Sequence, residues 1–135
     1  MKYLLDTNAV SALLRGDPEM LARLRSVPRD EIAIPQPALA ELAYGIARLP
    51  ASRRRDRLAE RVTLVCEEIA RAQWTDEVSR RFGELKALLE RGGERLEDFD
   101  VAMAAHALAL GAILVTANVE HLGRVRGLRI EDWGR

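Results

Sequence analysis

The sequence predicts an α/β fold: a three-layer α/β/α sandwich with a mostly parallel central sheet, built as a single domain over residues 1–135. Three observations predict it. Short apolar, strand-like segments alternate with longer segments of helical periodicity, the pattern of a parallel sheet covered by helices. The 135 residues, 48% of them apolar, suffice for one buried core and contain no repeat, low-complexity stretch or linker. Polar residues stand directly after two of the strand-like segments, where parallel sheets place their ligands.

Residues 2–5 read as a short buried strand. Residues 8–15 follow as a helix that stops at Gly16, a residue suited to a left-handed C-terminal conformation. Asp17-Pro18-Glu19 is a full start signal, with a capping aspartate, proline at the first helical position and an acid in the first turn. That helix runs to about Ser26. Residues 31–34 form a second strand, and Pro37 starts a helix that carries Glu41 and ends near Leu49-Pro50. Leu58, Val62, Val65 and Ile69 make a helical stripe. Residues 69–74 are ambiguous, with room for a brief strand. Thr75 caps the next helix, whose inner stripe is Val78, Phe82, Leu85 and Leu89, and Gly92-Gly93 breaks it. Asp98 is read as the cap of a helix that is apolar nearly all round to Leu110, and hence buried. Gly111 ends that helix, and residues 112–115 and 128–130 supply the last strands.

Composition narrows the function. Lys and Arg balance Asp and Glu at 21 each, against a chain coated in basic surface for nucleic acid. The distribution is uneven: residues 48–61 hold Arg48, Arg53, Arg54, Arg55, Arg57 and Arg61 against Asp56 and Glu60. Residues 90–100 hold Glu90, Glu94, Glu97, Asp98 and Asp100 against Arg91 and Arg95. A neutral total thus has room for one basic surface and one acidic pocket. No apolar run approaches the ~20 residues of a membrane helix, and the first residues turn acidic too soon for a secretory signal. Cys66 is alone, so no internal disulfide forms; a cytoplasmic location and a buried structural thiol are the expectations.

Asp6, Glu41 and Asp100 sit at strand ends or on apolar helix faces, and Asn118 stands in a fourth such place. Carboxylates at apolar positions are costly unless paired or bound to a cation. Gathered together, they would repel one another and tend to protonate, and a divalent cation reverses that balance. Oxygen ligands select hard ions such as Mg²⁺ or Mn²⁺ over zinc. His106 and His121 lack metal-site spacing, and no phosphate-cradling Gly-Lys-Ser/Thr loop is present, so the pattern suits metal-assisted phosphoester hydrolysis. Plainer roles stay open for each: a turn residue for Asp6, a solvent-facing edge for Glu41, a first-turn acid for Asp100 and a helix cap for Asn118.

The segments Leu4-Leu-Asp-Thr-Asn8, Glu41-Leu-Ala-Tyr-Gly45 and Asp100-Val-Ala-Met-Ala-Ala-His-Ala-Leu-Ala-Leu-Gly-Ala-Ile-Leu-Val-Thr-Ala-Asn118, in this order, resemble the PIN-domain ribonucleases. More narrowly, the chain resembles the VapC toxins of VapBC toxin–antitoxin pairs, down to Gly127-Leu-Arg-Ile-Glu-Asp-Trp133. The resemblance implies an endoribonuclease dependent on Mg²⁺, with Mn²⁺ able to substitute. It carries metal-site roles to Asp6, Glu41 and Asp100, a fourth catalytic position to Asn118 and supporting roles to Thr7, Asn8 and Thr116. It also implies a homodimer, a VapB-type antitoxin that obstructs the site, and a heterotetramer or larger complex with it. Asn118 keeps an oxygen but lacks the charge of an aspartate.

Arg53, Arg54 and Arg55 are the first RNA contacts to expect, beside the plainer reading of a solvated helix face. Leu13, Leu14, Leu21 and Leu24 suit either an antitoxin groove or core packing. His106 is expected as a hydrogen-bonded core residue, His121 on the surface, and Trp74 and Trp133 as packing anchors. A haloacid-dehalogenase-type phosphatase is the rival enzyme, but Asn8 stands where its acid/base aspartate belongs, and no lysine lies between Lys2 and Lys86. The non-enzymatic rival is a catalytically inactive PIN-like domain that binds RNA or protein.

Overall fold

The computed structural model describes residues 1–134. Five strands among them, β1 (Tyr3–Leu5), β2 (Ile32–Pro35), β3 (Ala70–Ala72), β4 (Ile113–Val115) and β5 (Ile130–Glu131), form one parallel sheet in the order β3-β2-β1-β4-β5. Seven α-helices among the described residues flank it: α1 (Thr7–Leu14), α2 (Pro18–Arg25), α3 (Gln36–Ala47), α4 (Arg53–Glu68), α5 (Asp76–Arg91), α6 (Asp98–Leu110) and α7 (Val119–Leu122). The result is a three-layer α/β/α domain. Tyr3 pairs with Ile32 on one side and Ile113 on the other, so β1 is the central strand. Leu4, Leu5, Ile32, Ala33 and Leu114 are fully buried, as continuous apolar runs must be in a parallel sheet covered on both faces.

The chain places β2 and β3 to one side of β1 and β4 and β5 to the other. The connections leaving β1 and β4 therefore diverge and open a crevice beyond their carboxyl ends, where open α/β sheets bind ligands. The helix start at Asp17 forms as read: its carboxylate accepts from the Glu19 and Met20 N–H groups. The ambiguous stretch holds β3, an edge strand paired with β2.

Several local expectations change. Glu97, not Asp98, occupies the cap position of α6, and the Asp98 carboxylate reaches Lys86 on α5 at 3.0 Å instead. Cys66 is half-buried, because α4 has no fully buried residue. His106 is fully buried, but neither ring nitrogen makes a hydrogen bond. Its desolvation outweighs the nearby Gln73 backbone and lowers its pKa. Leu13 and Leu24 belong to the core and Leu21 packs against it, whereas Leu14 packs on the core and also lines a groove beside α1. Trp133 is a buried anchor, edge-on to Tyr3 at 5.1 Å, while Trp74 is 39% exposed and packs on Phe82 and His106.

Candidate active site

Asp6 follows β1 directly. Its N–H donates to the Val115 carbonyl (3.1 Å), which seats it beside the end of β4. Its carboxylate caps α1, with Oδ1 accepting from Ala9 N–H at 2.8 Å. Thr116 and Asn118 follow β4, Glu41 lies in the second turn of α3 and Asp100 in the first turn of α6. Strand ends and helix starts thus meet at the crevice beside β1 and β4.

Burial is the main influence on Asp6, raising its pKa from 3.8 to about 6. The Thr116 hydroxyl and the Ala9 N–H favour the ionised form, and the charges of Asp100 and Glu41 oppose it. Asp100 is also raised, first by burial, then by Glu41 and Glu97, with His121 acting against them. The three acids therefore feel one another. Among the described residues, none of the three takes part in a salt bridge.

Each side chain has a neutral partner. The Thr7 hydroxyl donates a short hydrogen bond to Glu41 Oε1. Asn118 Nδ2 donates to Asp100 Oδ2 at 3.4 Å, and Asn118 Oδ1 meets His121 Nδ1 at 2.9 Å. Asn118 begins α7, but its side chain caps nothing. Thr116 is buried, and its Oγ1 accepts from Asn118 N–H at 3.0 Å. With the acids turned to these partners, no three of the His, Cys, Asp and Glu side chains among the described residues form a chelating group. Asn8 is exposed and lines a separate cavity with Asp132 and Trp133.

Two grooves flank the acids. The first, about 740 Å³, runs between α1, α3 and α4 from Thr7 and Glu41. Its floor is apolar and includes Leu14, Leu42, Ile46 and Leu58, and its polar wall holds Arg15, Arg48, Arg54, Arg57 and Arg61. The second, about 670 Å³, opens at Asp100, Asn118 and His121 and is bordered by Glu90, Glu97 and Asp98 with Lys86 and Arg95. The basic and acidic stretches of the sequence thus become two faces of one site. Of the three arginines singled out, Arg54 faces the first groove, Arg53 is exposed, and Arg55 turns to the Leu49 carbonyl at 3.2 Å. Arg57 and Arg61 share the groove with Arg54 because spacings of three and four return a helical residue to the same face. That spacing was the available signal for them. His121 is on the surface as expected, but its bond to Asn118 had no signal beyond an i, i+3 spacing.

The chain matches the family described as PIN domain over residues 3–128. It is 30% identical to the tRNA(fMet)-specific endonuclease VapC of Shigella flexneri over 98% of both chains. To the enzyme of the same name from Salmonella typhimurium it is 28% identical, again over 98% of both. Among solved structures, a chain in the crystal structure of VapBC2 from Rickettsia felis bound to a DNA fragment from their promoter is similar at a TM-score of 0.89 and 26% identity. That likeness covers 98% of this chain and 99% of the other.

Proposed function

The chain belongs to the PIN-domain family, among its VapC ribonucleases, and from that membership we propose that it is the toxin of a VapBC-type pair. Its activity is then RNA phosphodiester hydrolysis dependent on Mg²⁺, or Mn²⁺ in its place, with Asp6, Glu41 and Asp100 as the cation's ligands. The observation that carries this reading is a set of mutually repelling carboxylates at the sheet's crevice with no cationic side chain paired to them. Such a donor set, all oxygen and rich in charge, fits a hard divalent ion. The fit requires Glu41 to leave Thr7 and the acids to turn inward together.

When bound, the ion supplies positive charge to a phosphodiester transition state and acidifies water. The protein's own residues do the positioning. Ala9 N–H and Thr116 favour the ionised form of Asp6 against its burial, and Thr7 holds Glu41 at the mouth of the basic groove until the ion takes its place. Arg54, Arg57 and Arg61 line that groove and suit the RNA backbone. Transfer RNA is the first substrate class to test, since two relatives are named tRNA(fMet)-specific endonucleases. No helix among the described residues is long and apolar enough to cross a membrane, in keeping with work in the cytoplasm. Solved relatives are VapBC complexes, and a VapB-type antitoxin, bound to a homodimer in a heterotetramer or larger assembly, is the proposed partner.

Purified protein incubated with transfer RNA should cut it with Mg²⁺ or Mn²⁺ and stop when a chelator is added. Asp6→Asn should slow cutting by on the order of 100-fold or more. Equal cutting by that variant, or cutting without metal, sinks the mechanism. RNA binding without cleavage in either metal would instead favour the inactive binding module. Expressed alone, the protein should arrest growth, with relief by a small neighbouring-gene product. Normal growth with abundant folded protein counts against the toxin role.

A further inference from the structure

We propose that His121 is a positioning residue that fixes Asn118 as a hydrogen-bond donor to Asp100, and so keeps Asn118 out of the cation's coordination shell. The two ends of the Asn118 amide meet different partners. One end, Nδ2, lies 3.4 Å from Asp100 Oδ2, and the other, Oδ1, lies 2.9 Å from His121 Nδ1. An ionised carboxylate only accepts, so the nitrogen end must face Asp100. The oxygen end then faces His121 and also only accepts, so Nδ1 carries the ring proton. The chain of donors runs from His121 through Asn118 to Asp100.

Local structure explains why this arrangement is available. Asn118 stands at the start of α7, and His121 lies one turn later on the same side. The Asn118 side chain is free for the contact because it caps no N–H of α7. Flipping the amide would turn its oxygen toward the Asp100 carboxylate and its NH₂ toward a ring N–H, which breaks both bonds at once. His121 thereby makes the orientation of Asn118 a matter of chemistry rather than chance. With Oδ1 turned to His121, the amide presents to Asp100 its Nδ2 end, which carries no lone pair for a cation, so the acids alone hold the ion and Asn118 orients Asp100.

The activity arm of the test rests on the nuclease reading; the binding and spectroscopic arms do not. Mn²⁺ binding should be measured calorimetrically for wild type, Asn118→Ala, His121→Ala and the double variant. Mn²⁺ affinity should stay within about threefold of wild type in Asn118→Ala, whereas loss of a direct ligand costs more than tenfold. In wild type, the Asn118 side-chain NH₂ resonances should be resolved and slow to exchange with water, and His121→Ala should abolish that protection. With RNA, each single variant should lower kcat by roughly tenfold with KM unchanged, and the double variant should fall no further than either single. His121→Gln, whose amide can still donate, should recover most of the loss. The proposal is overturned by a tenfold or greater loss of Mn²⁺ affinity in Asn118→Ala. Multiplying losses in the double variant, or unchanged Asn118 amide exchange in His121→Ala, also overturn it. If wild type cuts no RNA, the calorimetric and exchange results still decide.

Discussion

Asp6 caps a helix and is buried among acids, and these two circumstances pull its ionisation in opposite directions. The Ala9 N–H favours the carboxylate, as any N-cap donor does. Desolvation wins, and the pKa rises from 3.8 to about 6. An acid whose folded pKa lies above its unfolded one stabilises the fold while protonated. Its contribution is complete below about pH 4 and is lost as pH rises through about 6. A gap of that size is worth ~3 kcal/mol. In metal-free protein, Asp6→Asn should therefore gain stability relative to wild type as pH rises from 4 to 7, and Mg²⁺ or Mn²⁺ should restore wild type but not the variant. Thermal unfolding midpoints across that range test the claim, and a wild-type-to-variant gap that is flat in pH contradicts it.

Elements whose signals are local were legible in the sequence. The Asp17-Pro18-Glu19 start works through bonds within three residues, and Gly111 ends α6 through its own backbone, at φ 64°. A Cβ at Gly111 would meet nothing within 4 Å, so substitution strains only the backbone. Gly111→Ala should then cost ~1 kcal/mol, read as a lower urea midpoint with an unchanged slope. A change in slope would point to a different native or denatured state. Elements set by distant partners were less legible. In β3, Ala70 is exposed and Arg71 half-buried, so little apolar patterning marks the strand; its pairing with β2 defines it. Asp98 resembles a cap until Lys86, on another helix, takes its carboxylate. The acids Asp6, Glu41 and Asp100 stood out because each is costly where it lies, but the Asn118–His121 contact depends on a geometry that side-chain identity does not encode.

The molecule as a whole carries no net charge, yet its site lies between an arginine-lined groove and a predominantly acidic one. Long-range steering of RNA by net charge is therefore weak, and phosphate affinity has to come from the groove arginines. Each phosphate neutralised on a single strand contributes roughly 0.7 to the slope of log affinity against log salt. Arg15, Arg48, Arg54, Arg57 and Arg61 line the groove, so the slope should be no steeper than about −3.5. Replacing Arg54, Arg57 and Arg61 together by alanine should flatten it by about 2, while Arg53→Ala, outside the groove, should leave it unchanged. Binding measured in an Asp6→Asn background, where cleavage is suppressed, separates contact from chemistry. A slope that survives the triple substitution would place the RNA path on another face of the protein.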